Sequence, residues 1–323
     1  MERRLAMGMS SSELGRPDAR VSMPARPATL LVDASCVLGE GILWDAKRRA
    51  LFWTDIEKSL LWMHVVATGS THSWTLPERV GSLALGQSGR LLLGCEKRLG
   101  LVDVDMSASG PLTITTLAAV ESMISRTRIN DGRTDRSGNF VFGTLNEADD
   151  KAAIGRFYQY SMRHGLRSLD LGGVAIPNSI CFSPDGRTMY YCDSLDLRIM
   201  RCEYDADSAR VAQIGEFVRF GNDQGLPDGS VVDAQGCLWN AAWGAGCVRR
   251  YNTMGAIDRV IEVPTQNPTC PAFGGPGYRD LFVTSSRQEL TTDQLQHTPH
   301  AGGVYHYQFD DIVGLPDELF RDA

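Results

Sequence analysis

The sequence predicts an all-β chain folded as a six-bladed β-propeller with four-stranded blades, its N-terminal strand closing the last blade. Six times, a polar residue stands just before a short apolar stretch, a tight and usually Gly-containing turn, and a second apolar stretch. The six are Glu40, Ser82, Asn130, Asn178, Asp228 and Thr269, spaced 41 to 50 residues apart. A third run rich in Val, Tyr, Phe and Trp follows each pair, and a weaker fourth run follows most of them. No long segment repeats its apolar residues every three or four positions, as helical repeats of this period would require.

Taken in order, Glu40 leads GILWD, a turn at Ala46 to Arg49 and ALFWTD, followed by SLLWMHV and HSWTL. Ser82 leads LALGQSGRLLLGCE, followed by RLGLVDV. Asn130 leads DGRTDRSGNFVFGT, with GRFYQY and RSLDL behind it; Asn178 leads SICFSPDGRTMYYCDS, with RIMRCEY and VAQIGEFV. Asp228 leads GSVVDAQGCLWNAA, then GCVRRY and DRVIEV, and Thr269 leads CPAFGGPGYRDLFVTS, then GGVYHYQF. The recurring x-Asp/Ser-x-Gly element is hairpin chemistry, because Asp and Ser bond their own backbone and Gly takes positive φ without a Cβ clash. The last unit shows three strands, and the run ATLLVDASC at residues 28–36 is a strand without a blade. Joining the two closes the ring and removes exposed sheet edges.

Residues 25–323 are thus expected to form a single propeller domain. Residues 1–24 are polar and contain Pro, Gly and Ser; they read as a disordered leader, with no apolar run long enough for a signal peptide or a membrane span. Of 323 residues 43% are hydrophobic, ample for a core, and no linker divides the repeats. The net charge is −7, with only four Lys among 32 basic residues and the Arg scattered. That distribution argues against nucleic acid, which requires a concentrated basic face. None of the eight Cys form a C-x-x-C pair and most lie in apolar strand runs. They read as reduced core thiols of a cytoplasmic protein.

In a closed propeller the six repeat-leading residues converge on the central channel. Glu40, Asn178 and Asp228 then bring two carboxylates and a carboxamide to one mouth, where two neighbouring negative charges are costly unless a cation neutralises them. The all-oxygen set favours Ca²⁺, Mg²⁺ or Mn²⁺, while ligand type alone leaves Zn²⁺ and Fe²⁺ open. The six His show no metal-ligand spacing, and no G-x-S-x-G elbow is present. Trp44, Trp53, Trp239 and Trp243 read as blade packing, with lining of the mouth as the alternative for Trp243. The loop at 266–275 is a candidate pocket wall. Asp193 and Ser194 are expected to satisfy a turn.

Four separated motifs, LGEGILWD, RINDGRTDRSGNFVFGT, PNSICFSPDGRTMYYCDS and LPDGSVVDAQGCLWNAAW, resemble those of the gluconolactonase, regucalcin and senescence-marker-protein family, in the same order over residues 36–310. The resemblance implies a six-bladed propeller binding one divalent cation and hydrolysing a sugar-acid lactone. It implies Glu40, Asn178 and Asp228 as metal ligands, and Arg128 with Asn130 as substrate-binding residues. The family often has a substrate-contacting acidic residue after the G-T motif; here GTLNEADD places either Glu147 or Ala148 at that point. In the expected mechanism the ion polarises the lactone carbonyl and Asp228 is the general base for water. The alternatives are a non-catalytic Ca²⁺-binding regulatory propeller of the regucalcin type and an interaction platform of the tryptophan-aspartate-repeat kind. Missing Trp-Asp repeat endings count against the platform.

Overall fold

The computed structural model describes residues 27–106 and 110–323; the leader expected over residues 1–24 lies outside them. The strands form six four-stranded antiparallel sheets. From channel outward, the first blade is Gly39–Asp45, Ala50–Asp55, Leu60–Val65 and Ser70–Thr75. The second is Val80–Leu85, Leu91–Cys95, Arg98–Val102 and Thr115–Ala119. The third is Thr127–Thr134, Phe140–Asn146, Gly155–Ser161 and Gly165–Val174. The fourth is Pro177–Phe182, Thr188–Asp193, Arg198–Asp205 and Arg210–Arg219, and the fifth Leu226–Val232, Leu238–Trp243, Cys247–Tyr251 and Ile257–Glu262.

The sixth blade closes the ring as the repeat pattern predicts. Pro268–Gly274, Asp280–Ser285 and Val304–Gln308 are completed on the outside by Thr29–Val32. Thr29 lies opposite His306, Leu30 opposite Tyr305 and Val32 opposite Val304. The one outer strand that patterning did not reveal, Thr115–Ala119, is largely exposed. An outermost strand packs on few neighbours, so its composition is weakly constrained.

Six apolar cores fill the spaces between neighbouring blades. Phe52, Leu83 and Leu93 join the first and second; Leu92, Ile129, Phe140 and Phe142 the second and third. Trp44, Trp53, Ala272 and Phe282 join the sixth to the first, so the ring has no unpacked seam there. Because each inner and second strand is covered on both faces, these strands read as continuous apolar runs rather than alternating ones. All eight cysteines are buried and free of disulfides.

The hairpin turns bear out the Asp/Gly reading. Asp135 accepts from the backbone N–H of Ser137 (2.8 Å) and Asn139 (2.9 Å), and Asp233 from those of Gln235 (2.9 Å) and Cys237 (3.0 Å). Gly138 and Gly236 occupy the left-handed region at φ 81° and 77°. The C-terminal segment, which the repeats did not account for, laces these turns together. Ala234 N–H donates to Val313 O (2.9 Å), Arg321 N–H to Gly138 O (3.0 Å) and Gln87 N–H to Phe320 O (2.9 Å). Arg133 pairs with Asp317 at 2.6 Å, and Phe320 is fully buried. The α-helix among the described residues, Thr292–His297, is six residues long and sits between strands of the sixth blade. No helix among the described residues is long and apolar enough to cross a membrane.

Candidate functional site

The inner strand of every blade slips its register at the repeat-leading position. The shifts fall between Glu40 and Leu43, Val80 and Ser82, Ile129 and Gly132, Asn178 and Cys181, Pro227 and Ser230, and Pro268 and Pro271. A bulge bends the strand and re-aims a side chain. Bulges at six equivalent positions thus set the aim of the side chains beside them, and four of these, Glu40, Asn130, Asn178 and Asp228, face one cavity. Gly41, directly after Glu40, takes φ +61°, a conformation that a Cβ would strain. Ser179, directly after Asn178, takes the same φ despite its side chain. Its Oγ donates to the backbone O of Asp228 (2.6 Å), which ties the fourth and fifth blades together at the site.

One cavity of about 440 Å³ is lined by Glu40, Arg128, Asn130, Glu147, Asn178 and Asp228, the residues expected to hold the ion or contact substrate. Of the remaining repeat-leading residues, Ser82 and Thr269 are buried and do not line it; Thr269 Oγ1 donates to Gly39 O at 2.5 Å. Of the two residues that GTLNEADD offers, Glu147 faces the cavity and Ala148 does not.

Hydrogen bonds fix the amides. Asn178 Nδ2 donates to Ser194 Oγ (3.0 Å), which donates to Pro227 O (2.7 Å). The Asn178 Oδ1 thus turned inward accepts from Asn130 Nδ2 at 3.1 Å. Arg128 Nη1 donates to Asn130 Oδ1 (2.9 Å), so the arginine and both asparagines form one oriented chain. Ser194 is consequently part of the site, whereas Asp193 takes backbone N–H groups at the turn as expected.

Electrostatics separate the carboxylates from ordinary surface acids. Burial first, and the Asp131 charge second, push Glu40 up to about 8. Burial, then the charges of Glu40 and Asp131, raise Asp228 well above its usual range. Asp131, whose carboxylate accepts from Ile180 N–H at 2.8 Å, is a channel residue that sequence reasoning missed, although it is the Asp of the R-x-N-D-G segment. Among the described residues no set of three or more His, Cys, Asp and Glu side chains forms a metal cage. A cation here would rest on the Glu40 and Asp228 carboxylates and the Asn178 amide oxygen. That donor set fits a hard divalent ion, because two buried, mutually repelling carboxylates gain most from one.

The cavity mouth differs from the expectation in three respects. Trp243 lines it instead of joining the apolar cores. The sixth blade contributes Gln288 and Glu289, not the 266–275 loop, most of which is buried inner strand. Glu57, Arg79 and Lys151 line it unforeseen. A periodic signal was present nonetheless: Glu57, Glu147, Ser194, Trp243 and Gln288 each stand at, or within three residues past, the end of a second strand. In an antiparallel hairpin that end lies beside the start of the inner strand, as Glu40 opposite Thr54 and Asn178 opposite Cys192 show.

Comparison with known proteins gives the family. Residues 38–287 match the SMP-30/gluconolactonase/LRE-like region. The chain belongs to this family. An L-arabinolactonase of Azospirillum brasilense is 43% identical over 284 residues, covering 87% of this chain and 92% of the relative. A 6-deoxy-6-sulfogluconolactonase of Pseudomonas putida is 31% identical over 88% of this chain and 95% of the relative. The crystal structure of a calcium-binding protein, regucalcin, from Agrobacterium tumefaciens str. C58 superposes with a TM-score of 0.85 at 33% identity. It covers 93% of this chain and 99% of its own. Family membership and the six-bladed propeller thus rest on sequence and fold together.

Proposed function

We propose that this protein is a metal-dependent lactonase that opens an aldonolactone to its aldonic acid. The observation that carries the reading is the convergence of Glu40, Asn178 and Asp228 with Arg128 and Asn130 on one cavity. The relatives named as lactonases support the same reaction class. Glu40, Asn178 and Asp228 would hold the divalent ion, which when bound supplies Lewis-acid polarisation of the ester carbonyl.

The remaining chemistry belongs to the chain. Arg128, always cationic and planar, offers donors to lactone hydroxyls, and Asn130 both donates and accepts. Asp228 takes a proton from the attacking water as the new C–O bond forms at the carbonyl carbon. The ring C–O bond breaks, and Asp228 returns that proton to the departing ring oxygen, leaving the carboxylic acid and a free hydroxyl. Ser194 and Pro227 keep the Asn178 amide oriented through the cycle.

The test is a panel of five- and six-carbon aldonolactones assayed by acid release, with protein stripped of metal and resupplied with Ca²⁺, Mg²⁺, Mn²⁺ or Zn²⁺. Hydrolysis above the spontaneous rate, lost on chelation and restored by an ion, is expected. Spontaneous rates throughout reject the reading. Calcium binding without turnover favours instead a regulatory propeller, the second reading, for which the superposed calcium-binding regucalcin speaks.

A further inference from the structure

Arg79 stands just before the inner strand of the second blade and faces the cavity mouth. Carboxylates from three blades surround it. Its Nε lies 2.6 Å from Glu96, its Nη1 3.8 Å from Glu57, and its fork grips Glu147 through both oxygens, at 2.8 Å and 3.0 Å. The same Glu147 Oε1 lies 3.3 Å from Arg128 Nε. Glu147, which the family resemblance offers as a substrate contact, is therefore engaged by two arginines. Burial works against its charge, but the Arg79 hydrogen bond and the Arg128 charge more than offset this and hold it below the usual carboxylate range.

We infer that Arg79 is a positioning residue of the lactone site: by fixing Glu147 it locks the guanidinium of Arg128 in the orientation that receives substrate hydroxyls. Three features carry this. Arg128 is buried, with its Nη1 on Ile129 O (3.0 Å) and Asn130 Oδ1 (2.9 Å), while its buried Nε makes no hydrogen bond among the described residues and is held by charge alone, with Glu147 Oε1 at 3.3 Å. Glu147 is about one-third exposed, free to swing into solvent were it not held. The grip is a two-point fork with a third donor on Glu96, a geometry that a lysine ammonium does not reproduce. Arg79 has its donors directed at carboxylates, so its effect passes through Arg128 and not through the lactone.

The kinetic arm rests on the lactonase reading; a second arm does not. In the first, R79Q is expected to raise KM about tenfold with kcat changed less than about twofold, and to add nothing in an R128Q background, as coupled residues do. R79K recovers only part of the loss. An unchanged KM in R79Q, or additive losses in R79Q/R128Q, overturns the relay. In the second arm, hydrogen exchange at Arg128 Nε–H is followed by NMR in the full chain. Slow exchange in the native protein is expected to become fast in both R79Q and E147Q, and intermediate in R79K, which serves should R79Q not fold. Unaltered protection in R79Q or R79K overturns the inference. A native protein that opens no lactone removes the functional reading but leaves this second arm decisive.

Discussion

At the Glu40 side chain, loss of water and the Asp131 charge put the carboxyl near 8 in the folded protein, against about 4.3 for a free glutamate. The fold without metal therefore binds more protons than the unfolded chain between those values. Glu40's contribution to stability is fully present at low pH and is lost as pH rises through the window. The melting temperature of chelated protein should fall from about pH 5 to pH 8, a slope that saturating divalent ion and Glu40→Gln each flatten. A flat profile in chelator would contradict the buried, uncompensated carboxylate. Asp228, raised by the same causes, adds to the trend. The proton-transfer role proposed for it has its own signature. Asp228→Asn keeps an oxygen for the ion while losing the base, so turnover should drop by roughly a hundred- to ten-thousand-fold, with ion binding retained by calorimetry.

At the scale of the strand, the bulge is the device that makes a site out of a packing motif. An unbroken inner strand would send alternate side chains into the inter-blade cores on either side. The slipped register between Glu40 and Leu43 releases the glutamate from that alternation, and Gly41 at φ +61° is what allows it. Gly41→Ala forces a Cβ into the left-handed region at a cost of about 1–2 kcal/mol. It should lower stability by that much in urea and weaken ion binding, because Glu40 is re-aimed. Unchanged ion affinity would separate the bulge from the site. The hairpin logic also explains which elements were legible. Turns showed themselves through Asp and Gly, whereas nothing in the local run tells that Glu57 and Gln288, just past the ends of second strands, face the cavity.

Over the whole molecule, two segments outside the repeats complete the ring. Thr29–Val32 supplies the missing outer strand, and the C-terminal segment binds the turn face of several blades at once. Phe320 is the anchor of the latter, fully buried against Leu92, Phe140 and Tyr160, with its ring 6.1 Å from that of Tyr160. Phe320→Ala should cost about 3–5 kcal/mol, read as a lowered midpoint in thermal or urea unfolding. A loss below about 1 kcal/mol would mean that the segment is dispensable to the ring. The site lies at the other end of the inner strands, so residual activity at low temperature should be close to that of the unaltered protein.

What the amino-acid sequence determined by itself is the periodic part. Blade number, hairpin turns, the closing strand and the six polar positions follow from a repeat whose chemistry is local, since each unit carries its own turn residues and apolar runs. Tertiary structure decided the rest. Which of the six positions share a cavity, that Ser82 and Thr269 do not, that Asp131 loads charge onto Glu40 and Asp228, and that Arg79 reaches Glu147 across blades all depend on how side chains from distant units meet. Contacts between residues tens of positions apart leave no trace in any one segment, because the propensities written there act only between near neighbours along the chain.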